Sequence, residues 1–418
     1  MDQENPAGVF VLHVGGLGDL VLASGMLAAL RLAQPQAQIT LAVRAAVAPL
    51  VAVSPLRQSV DVVVPLPIDP YRWAAPSAGL FLALERTFAA IGRRPVATFI
   101  SAELRPTWLT FVLGARLKPA TAFTLRSIEY SRALVGAVCD RFGLAVPAFR
   151  RYADARTRSH ELVRYQRLTR AFGGEPQQPP HWPMPPRAGQ ALKARGLAPH
   201  SYIVCFPGGS AGTLSRRWPP ERFVATLAAV RERFGGRVVL AGGGEERDLL
   251  EGVARSCEAA GLEPHVFAGR LADTGILRAL VANAWGYLGN DTGPVHLAAA
   301  HGVPGVTIYG GGTWPAYAPW APGSAGLVHP LPCFGCFWDC TFGHAVCVEQ
   351  VPVEPVVAAL VRAVAAPTAP PATWEVAGYG SEVLELIRDA STTYRAAQTD
   401  RAARLEALLS QARKLGLD

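Results

Sequence analysis

Two doubly wound α/β domains in tandem are predicted by three observations on this 418-residue sequence. A strand, a glycine turn, a helix and a second strand open the chain. The same order of elements restarts near residue 200, and a Pro- and Gly-rich stretch without hydrophobic period separates the halves. The length suffices for two domains, each burying its own core.

In the first half, "GVFVLHV" reads as a strand, "GGLGDL" as a glycine turn and "VLASGMLAALRLAQ" as a helix. After Pro35 comes the strand "QITLAV", which completes a βαβ unit. "VDVVVPLP" and "VATFIS" read as further strands. The stretch 171–189, "AFGGEPQQPPHWPMPPRAG", is the predicted linker. In the second half, "SYIVCFPGG" is a strand running into a glycine turn, and "PPERFVATLAAVRERFG" a helix with Pro in its first turn. "RVVLAGGGEE" is a strand, "EERDLLEGVARSCEAAG" a helix closed by Gly261, "HVFAG" a short strand and "LRALVANA" a helix. The stretch "WGYLGNDTGPVHLAAAHGVPGVTIYG", 285–310, then runs strand, tight turn, helix opened by Pro294, strand. The predicted division is 1–175, 190–365, and 366–418 as a Pro-rich connector with a C-terminal helix. Leucines at Leu405, Leu408, Leu409 and Leu415 give that helix an apolar face, to pack on its own chain or to form a homo-oligomer. Sheets of this kind bind ligands at the carboxyl ends of their strands, so a central cleft between the domains is the expected site.

Net charge is +8 from 40 basic residues, nearly all arginine, which suits anionic ligands such as nucleotides, phosphorylated sugars or an anionic membrane surface. The charges are scattered and no nucleic-acid-binding signature accompanies them, so no nucleic-acid partner is expected. No uninterrupted apolar run reaches 18 residues, and "MDQENPAGVF" is unlike a secretory leader, which together predict a cytoplasmic protein.

Four stretches can carry chemistry. "GGLGDL" lets the backbone approach a ligand around Gly18, while Asp19 suits either chemistry or a helix N-cap. In "FPGGSAGTLSRRWPPERF", Gly208, Gly209, Ser210 and the Arg216–Arg217 pair offer backbone donors, a hydroxyl and cations to a diphosphate; the alternative is a solvated loop. Glu245 and Glu246 follow a strand, fit either to accept from ribose hydroxyls or to face a helix dipole. In the fourth stretch, Thr292 and Gly293 open a helix as in a phosphate site, yet Asp291 stands at its mouth, where it would repel a phosphate.

In order and spacing, "LGDLVLASGMLAALR", "GGSAGTLSRRWPPERF", "GGGEER" and "GNDTGPVHLAAAHGVPGVTIYG" resemble glycosyltransferase family 9, the bacterial lipopolysaccharide heptosyltransferases, over roughly residues 8–365. The resemblance implies a GT-B fold and inverting, metal-independent transfer of a sugar from a nucleotide diphosphate sugar, usually ADP-heptose. The acceptor would be a hydroxyl of a glycan or glycolipid such as the lipopolysaccharide core, at the inner face of the inner membrane. It implies Asp19 as general base, Arg216 as the cation on the leaving diphosphate and Glu246 on the ribose. Asp291 would accept from sugar hydroxyls, Thr292 and Gly293 would face the diphosphate, and Gly18 and His296 would join the donor set. Two departures touch the acceptor side: Met26 stands where the family usually carries Pro, and His13 near where it commonly carries a basic residue.

Cys333, Cys336, Cys340 and Cys347 cluster around His344 and suit a structural zinc or iron, with packed thiols or disulfides as alternatives. A catalytic metal is not expected, because arginine and a helix dipole already supply positive charge. Two rival functions remain: a nucleotide-sugar epimerase of the same two-domain build, and a non-catalytic, metal-stabilised interaction module.

Overall fold

The computed structural model describes residues 8–376, apart from 71–72, 74, 93–94, 103–106, 126–131, 146–149, 153–158, 210–215, 271–272, 313 and 332–343. The chain divides into two compact units, Met1–Pro185 with Leu271–Gly275, and Pro186–Arg270 with Ile276–Asp418. The expected C-terminal helix lies outside the described residues.

The first unit alternates β1 (Gly8–His13), α1 (Leu17–Ala33), β2 (Gln38–Arg44), α2 (Ala48–Ala52), β3 (Val62–Leu66), α3 (Ala78–Ile91), β4 (Thr98–Ser101), α4 (Trp108–Leu117), β5 (Thr121–Leu125), α5 (Arg132–Phe142), β6 (Arg150–Tyr152) and α6 (Glu161–Ala171). Its strands pair in parallel in the order β3-β2-β1-β4-β5-β6. Continuous apolar runs suit such a sheet, because helices cover both of its faces. Phe10, Leu12, Phe99 and Leu109 are fully buried, and Phe10 stacks on Phe99 with centroids 5.9 Å apart. Each such side chain contributes about 1.5–3 kcal/mol by leaving water.

The linker differs from expectation. Its ends belong to helices and only 172–187 have no regular structure, but Trp182 is buried and its indole N–H donates to Ser24 Oγ on α1 at 3.2 Å. A stretch without period thus packs back on the first unit through one large side chain.

In the second unit follow α7 (Ala188–Lys193), β7 (Tyr202–Phe206), α8 (Pro220–Phe234), β8 (Arg237–Gly243), α9 (Arg247–Ala259), β9 (Pro264–Gly269), α10 (Thr274–Ala282), β10 (Gly286–Asn290), α11 (Gly293–Ala300), β11 (Gly305–Tyr309), β12 (Ser324–Val328), α12 (Val346–Glu349), α13 (Val353–Ala365) and β13 (Ala372–Glu375). Its parallel order is β13-β12-β11-β10-β7-β8-β9. Trp218 is the largest fully buried side chain among its described residues; it meets the Phe223 ring edge-on at 5.0 Å and donates to the Val351 carbonyl at 2.8 Å. The Pro-rich connector needs a correction. "ATWE" inside it is a strand, half-buried on alternate residues, that adds to β12 as the edge of the sheet. Flanking prolines hid this from a reading by composition, but Pro is compatible with the ends of an edge strand.

Both sheets reverse direction of growth once, between β1 and β4 and between β7 and β10. Ligands of doubly wound sheets bind at such reversals, beyond the carboxyl ends of the strands. The turns after β1, β7 and β10 occupy those places.

Candidate active site

In the second unit the site begins with Asn290, the last residue of β10, which is fully buried. Its Nδ2 donates to the carbonyls of Pro207 at 2.9 Å and Gly208 at 3.0 Å, while its Oδ1 accepts from the Trp218 N–H at 2.9 Å. One amide therefore joins the turn after β7 to the segment before α8. A carboxylate could not donate, and a hydrophobe would leave three buried backbone groups without partners. Arg217 adds a further tie, its Nη2 donating to the Gly209 carbonyl at 2.7 Å. A Cβ built on Gly209 would lie 3.8 Å from the Cβ of Arg216, the Cγ of Arg217 and the Cγ2 of Thr292. The side-chain stem of the predicted cation and the predicted helix start therefore meet at this glycine.

Glu246 lies within the 3₁₀ turn Gly244–Glu246 after β8. Its Oε1 accepts from the Gly209 N–H and its Oε2 from the Gly243 N–H, both at 2.7 Å. The residue expected on a ribose thus also braces two glycine turns, and the Gly209 N–H expected on a diphosphate is given to Glu246. A Cβ on Gly208 would stand 2.1 Å from Glu246 Oε1, so a larger residue there would displace that carboxylate from its two backbone bonds. Glu245 is exposed.

Asp291 is buried, and its N–H donates to the Ile308 carbonyl at 3.1 Å. Its Oδ1 lies 4.0 Å from His296 Nε2, and His296 Nδ1 accepts from the Trp320 indole N–H at 3.4 Å. Burial pushes the Tyr309 phenol well up, and the Asp291 charge adds to that. Thr292 caps α11 in extended conformation, with Gly293 and Pro294 opening the helix. The opening of the helix is partly exposed, whereas the carboxylate is set back behind it.

In the first unit, α1 starts from Gly16, whose N–H donates to Asp19 Oδ2 at 2.7 Å. Asp19 is partly exposed, and Gly18 is buried. The N-cap is thus Gly16 and not Asp19, whose carboxylate instead reaches back from the first turn, and its partial exposure leaves room for chemistry. Arg44, from the end of β2, donates to the Gly15 carbonyl at 3.2 Å and faces Asp69 at 3.5 Å, holding the turn from the neighbouring strand. His13 ends β1 fully buried, with Nε2 3.4 Å from the Tyr165 hydroxyl, which donates to the Asp19 carbonyl at 3.3 Å. A Cβ on Gly15 would sit 2.9 Å from both His13 Cε1 and Asp19 Oδ2, so only glycine admits this pairing. Burial lowers the His13 pKa, against an opposing pull from Asp19.

Ser210, Cys333, Cys336 and Cys340 lie outside the described residues. Cys347 is buried on α12 in the core of the second unit, and among the described residues no three His, Cys, Asp or Glu side chains form a metal site. Reasoning from sequence missed Asn290, Arg44, Tyr165 and Trp320, and it left Arg217 without a separate role. Asn290 lay inside the quoted motif, so its place before Asp291 was a usable signal. Tyr165 and Trp320 carry none, since each reaches its partner from a distant segment.

The chain matches glycosyltransferase family 9 (heptosyltransferase) over residues 132–344. It is 30% identical over 131 residues to lipopolysaccharide heptosyltransferase 3 of Escherichia coli (strain K12), an alignment spanning 31% of this chain and about a third, 36%, of that relative. A glycosyl transferase family 9 structure from Veillonella parvula DSM 2008 superposes with TM-score 0.66 at 21% identity, covering 87% of this chain and 99% of its own. The ADP-heptose lps heptosyltransferase II structure of E. coli gives 0.60 at 16% identity, covering 86% and 98%. E. coli heptosyltransferase WaaC with ADP-2-deoxy-2-fluoro heptose gives 0.54 at 18% identity, covering 77% and 93%. These likenesses establish the GT-B-like fold.

Proposed function

This chain belongs to glycosyltransferase family 9, and from that premise we propose that it is an inverting glycosyltransferase moving a heptose from ADP-heptose to a hydroxyl of a lipopolysaccharide-core or related glycan acceptor. The observation that carries this reading is the convergence on Gly209 of Arg216, Arg217 and Thr292, locked by the Asn290 amide, with the Asp291 carboxylate set back behind the helix start. Cations and a helix N-terminus serve a leaving diphosphate. A carboxylate beside them serves a neutral sugar, whose hydroxyls are donors.

In this reading Gly208, Gly209 and Ser210 shape the turn that takes the diphosphate, Arg216 neutralises it as it leaves, and Thr292 and Gly293 face it. Glu246 accepts from the ribose while keeping its two backbone bonds, since each carboxylate oxygen has a second lone pair. Asp291 and His296 hold the sugar. Asp19 takes the proton of the acceptor hydroxyl as that oxygen attacks the anomeric carbon and the diphosphate departs on the opposite side. Among the described residues no helix is long and apolar enough to cross a membrane. A cytoplasmic enzyme touching the inner face of the inner membrane fits that fact and the basic charge balance.

Two substitutions test the assignment together. Asp19→Asn is expected to keep donor affinity while lowering kcat by roughly 10²–10⁴-fold. Asp291→Asn is expected to weaken ADP-heptose far more than ADP. Calorimetry with both ligands, beside a transfer assay, reads both effects. Full transfer by Asp19→Asn, equal weakening of both ligands by Asp291→Asn, or donor turnover without acceptor would overturn the reading.

A further inference from the structure

Trp320 lies in the segment between β11 and β12, outside every motif that points to the site. It reaches His296 on α11, which in turn faces Asp291. An indole N–H can only donate, so the Nδ1 that receives it must present a lone pair. The proton of a neutral imidazole is then on Nε2, the atom 4.0 Å from Asp291 Oδ1. The other tautomer would set N–H against N–H at Trp320 and a lone pair against a carboxylate at Asp291. Both ends of the ring select the same form. The Tyr317 ring, 5.6 Å from the imidazole and tilted 53° to it, limits rotation of His296.

We propose that Trp320 is a positioning residue for the sugar-facing carboxylate, fixing the His296 tautomer that presents an N–H to Asp291. The proposal rests on the reading of Asp291 as the sugar's partner, and Trp320 itself touches neither sugar nor diphosphate in it. With the Nε2–H side of the ring facing Oδ1 at 4.0 Å, its positive end favours one orientation of the carboxylate before the sugar arrives, and ligand binding need not supply that order. Without the indole donor, His296 can exchange tautomers and turn a lone pair toward Asp291. The cost then falls on recognition of the sugar and leaves the diphosphate contacts around Gly209 intact.

Trp320→Phe keeps an aromatic ring and removes only the donor. Long-range ¹H–¹⁵N spectra of labelled protein, with His296→Gln to assign the signal, should show His296 as the Nε2–H form in the wild type and as a mixture in Trp320→Phe. ADP-heptose affinity should fall about 3- to 10-fold, the worth of one neutral hydrogen bond, while ADP affinity stays within twofold. An Nδ1–H tautomer in the wild type overturns the proposal, and so does unchanged ADP-heptose affinity in Trp320→Phe, or equal weakening of both ligands. If Trp320→Phe fails to fold, the wild-type tautomer still decides. Failure of the wild type to bind either ligand sinks the donor reading instead, and the spectra separate that outcome from failure of the tautomer argument.

Discussion

At the scale of single residues, His13 shows how burial makes an ordinary side chain sensitive to pH. It is fully buried, and desolvation holds its pKa below the usual 6.5 despite Asp19 nearby. The unfolded chain therefore binds a proton that the folded chain refuses. Stability contributed by neutral His13 is complete above about pH 6.5 and is lost as pH falls toward the lowered folded value, by up to about 1.4 kcal/mol per unit. His265 and His329 shift in the same direction, again chiefly by burial, so the wild type should lose stability on this side with more than one group contributing. Urea unfolding of His13→Gln at pH 7 and pH 5.5 should show a smaller difference between the two conditions than the wild type. An equal difference would mean that His13 is not buried neutral. Asn290 is the second residue whose substitution is informative. Asn290→Asp keeps the shape, loses both donated bonds and turns a charge on two carbonyls, which should cost about 2–4 kcal/mol in urea unfolding and weaken ADP binding. A wild-type midpoint would refute its role in locking the turn after β7.

At the scale of elements, the edge strand β13 makes a contribution that composition concealed. Its residues Ala372–Glu375 pair with Ala325–Val328, and the Trp374 ring packs against the second core beneath the Arg362 guanidinium at 5.9 Å. Removing it would expose one side of β12 and part of that core. A chain ending at residue 371 should therefore melt several degrees below one ending at residue 376. Equal melting of the two truncations would show that β13 adds nothing to the sheet. The helices were easier to place. α1 begins at a glycine turn whose N–H a carboxylate three residues on accepts and ends before Pro35, and α8 begins with Pro220 and ends at Gly235. Those are local signals, and a reading of spacing finds them.

At the scale of the whole molecule, the two units have separate cores, and most residues of the proposed donor site belong to the second. Calorimetric unfolding should therefore show a donor-dependent transition. ADP at about 100 times its dissociation constant should stabilise the second unit by about 2.7 kcal/mol and leave the unfolding of the first unit nearly unmoved. A uniform shift of both transitions, or no shift with any nucleotide sugar screened, would count against placing the donor there. Charge is uneven as well. Residues 126–170 hold ten arginines against four carboxylates, so most of the net charge of +8 arises in the first unit. An anionic acceptor is the chemistry such a balance suits.

The sequence by itself determined the class of fold, the succession of most strands and helices, and the family, because those follow from hydrophobic period, glycine turns and one specific motif, all local along the chain. It also placed Asp19, Glu246, Asp291 and Thr292 just past strand ends and Arg216 just before a helix, on the segments where a doubly wound sheet gathers ligands. What only the tertiary structure decided was which of their atoms are already engaged. Glu246 braces Gly209 and Gly243, Asp19 holds Gly16, and Asn290 joins the turn after β7 to Trp218, across 82 and 72 residues of chain. Trp182 against Ser24 of α1, Tyr165 beneath the β1 turn and Trp320 against His296 belong to the same category. A side-chain hydrogen bond between distant segments leaves no periodic trace, since its partner is set by how the sheet brings strand ends together and not by spacing in the sequence.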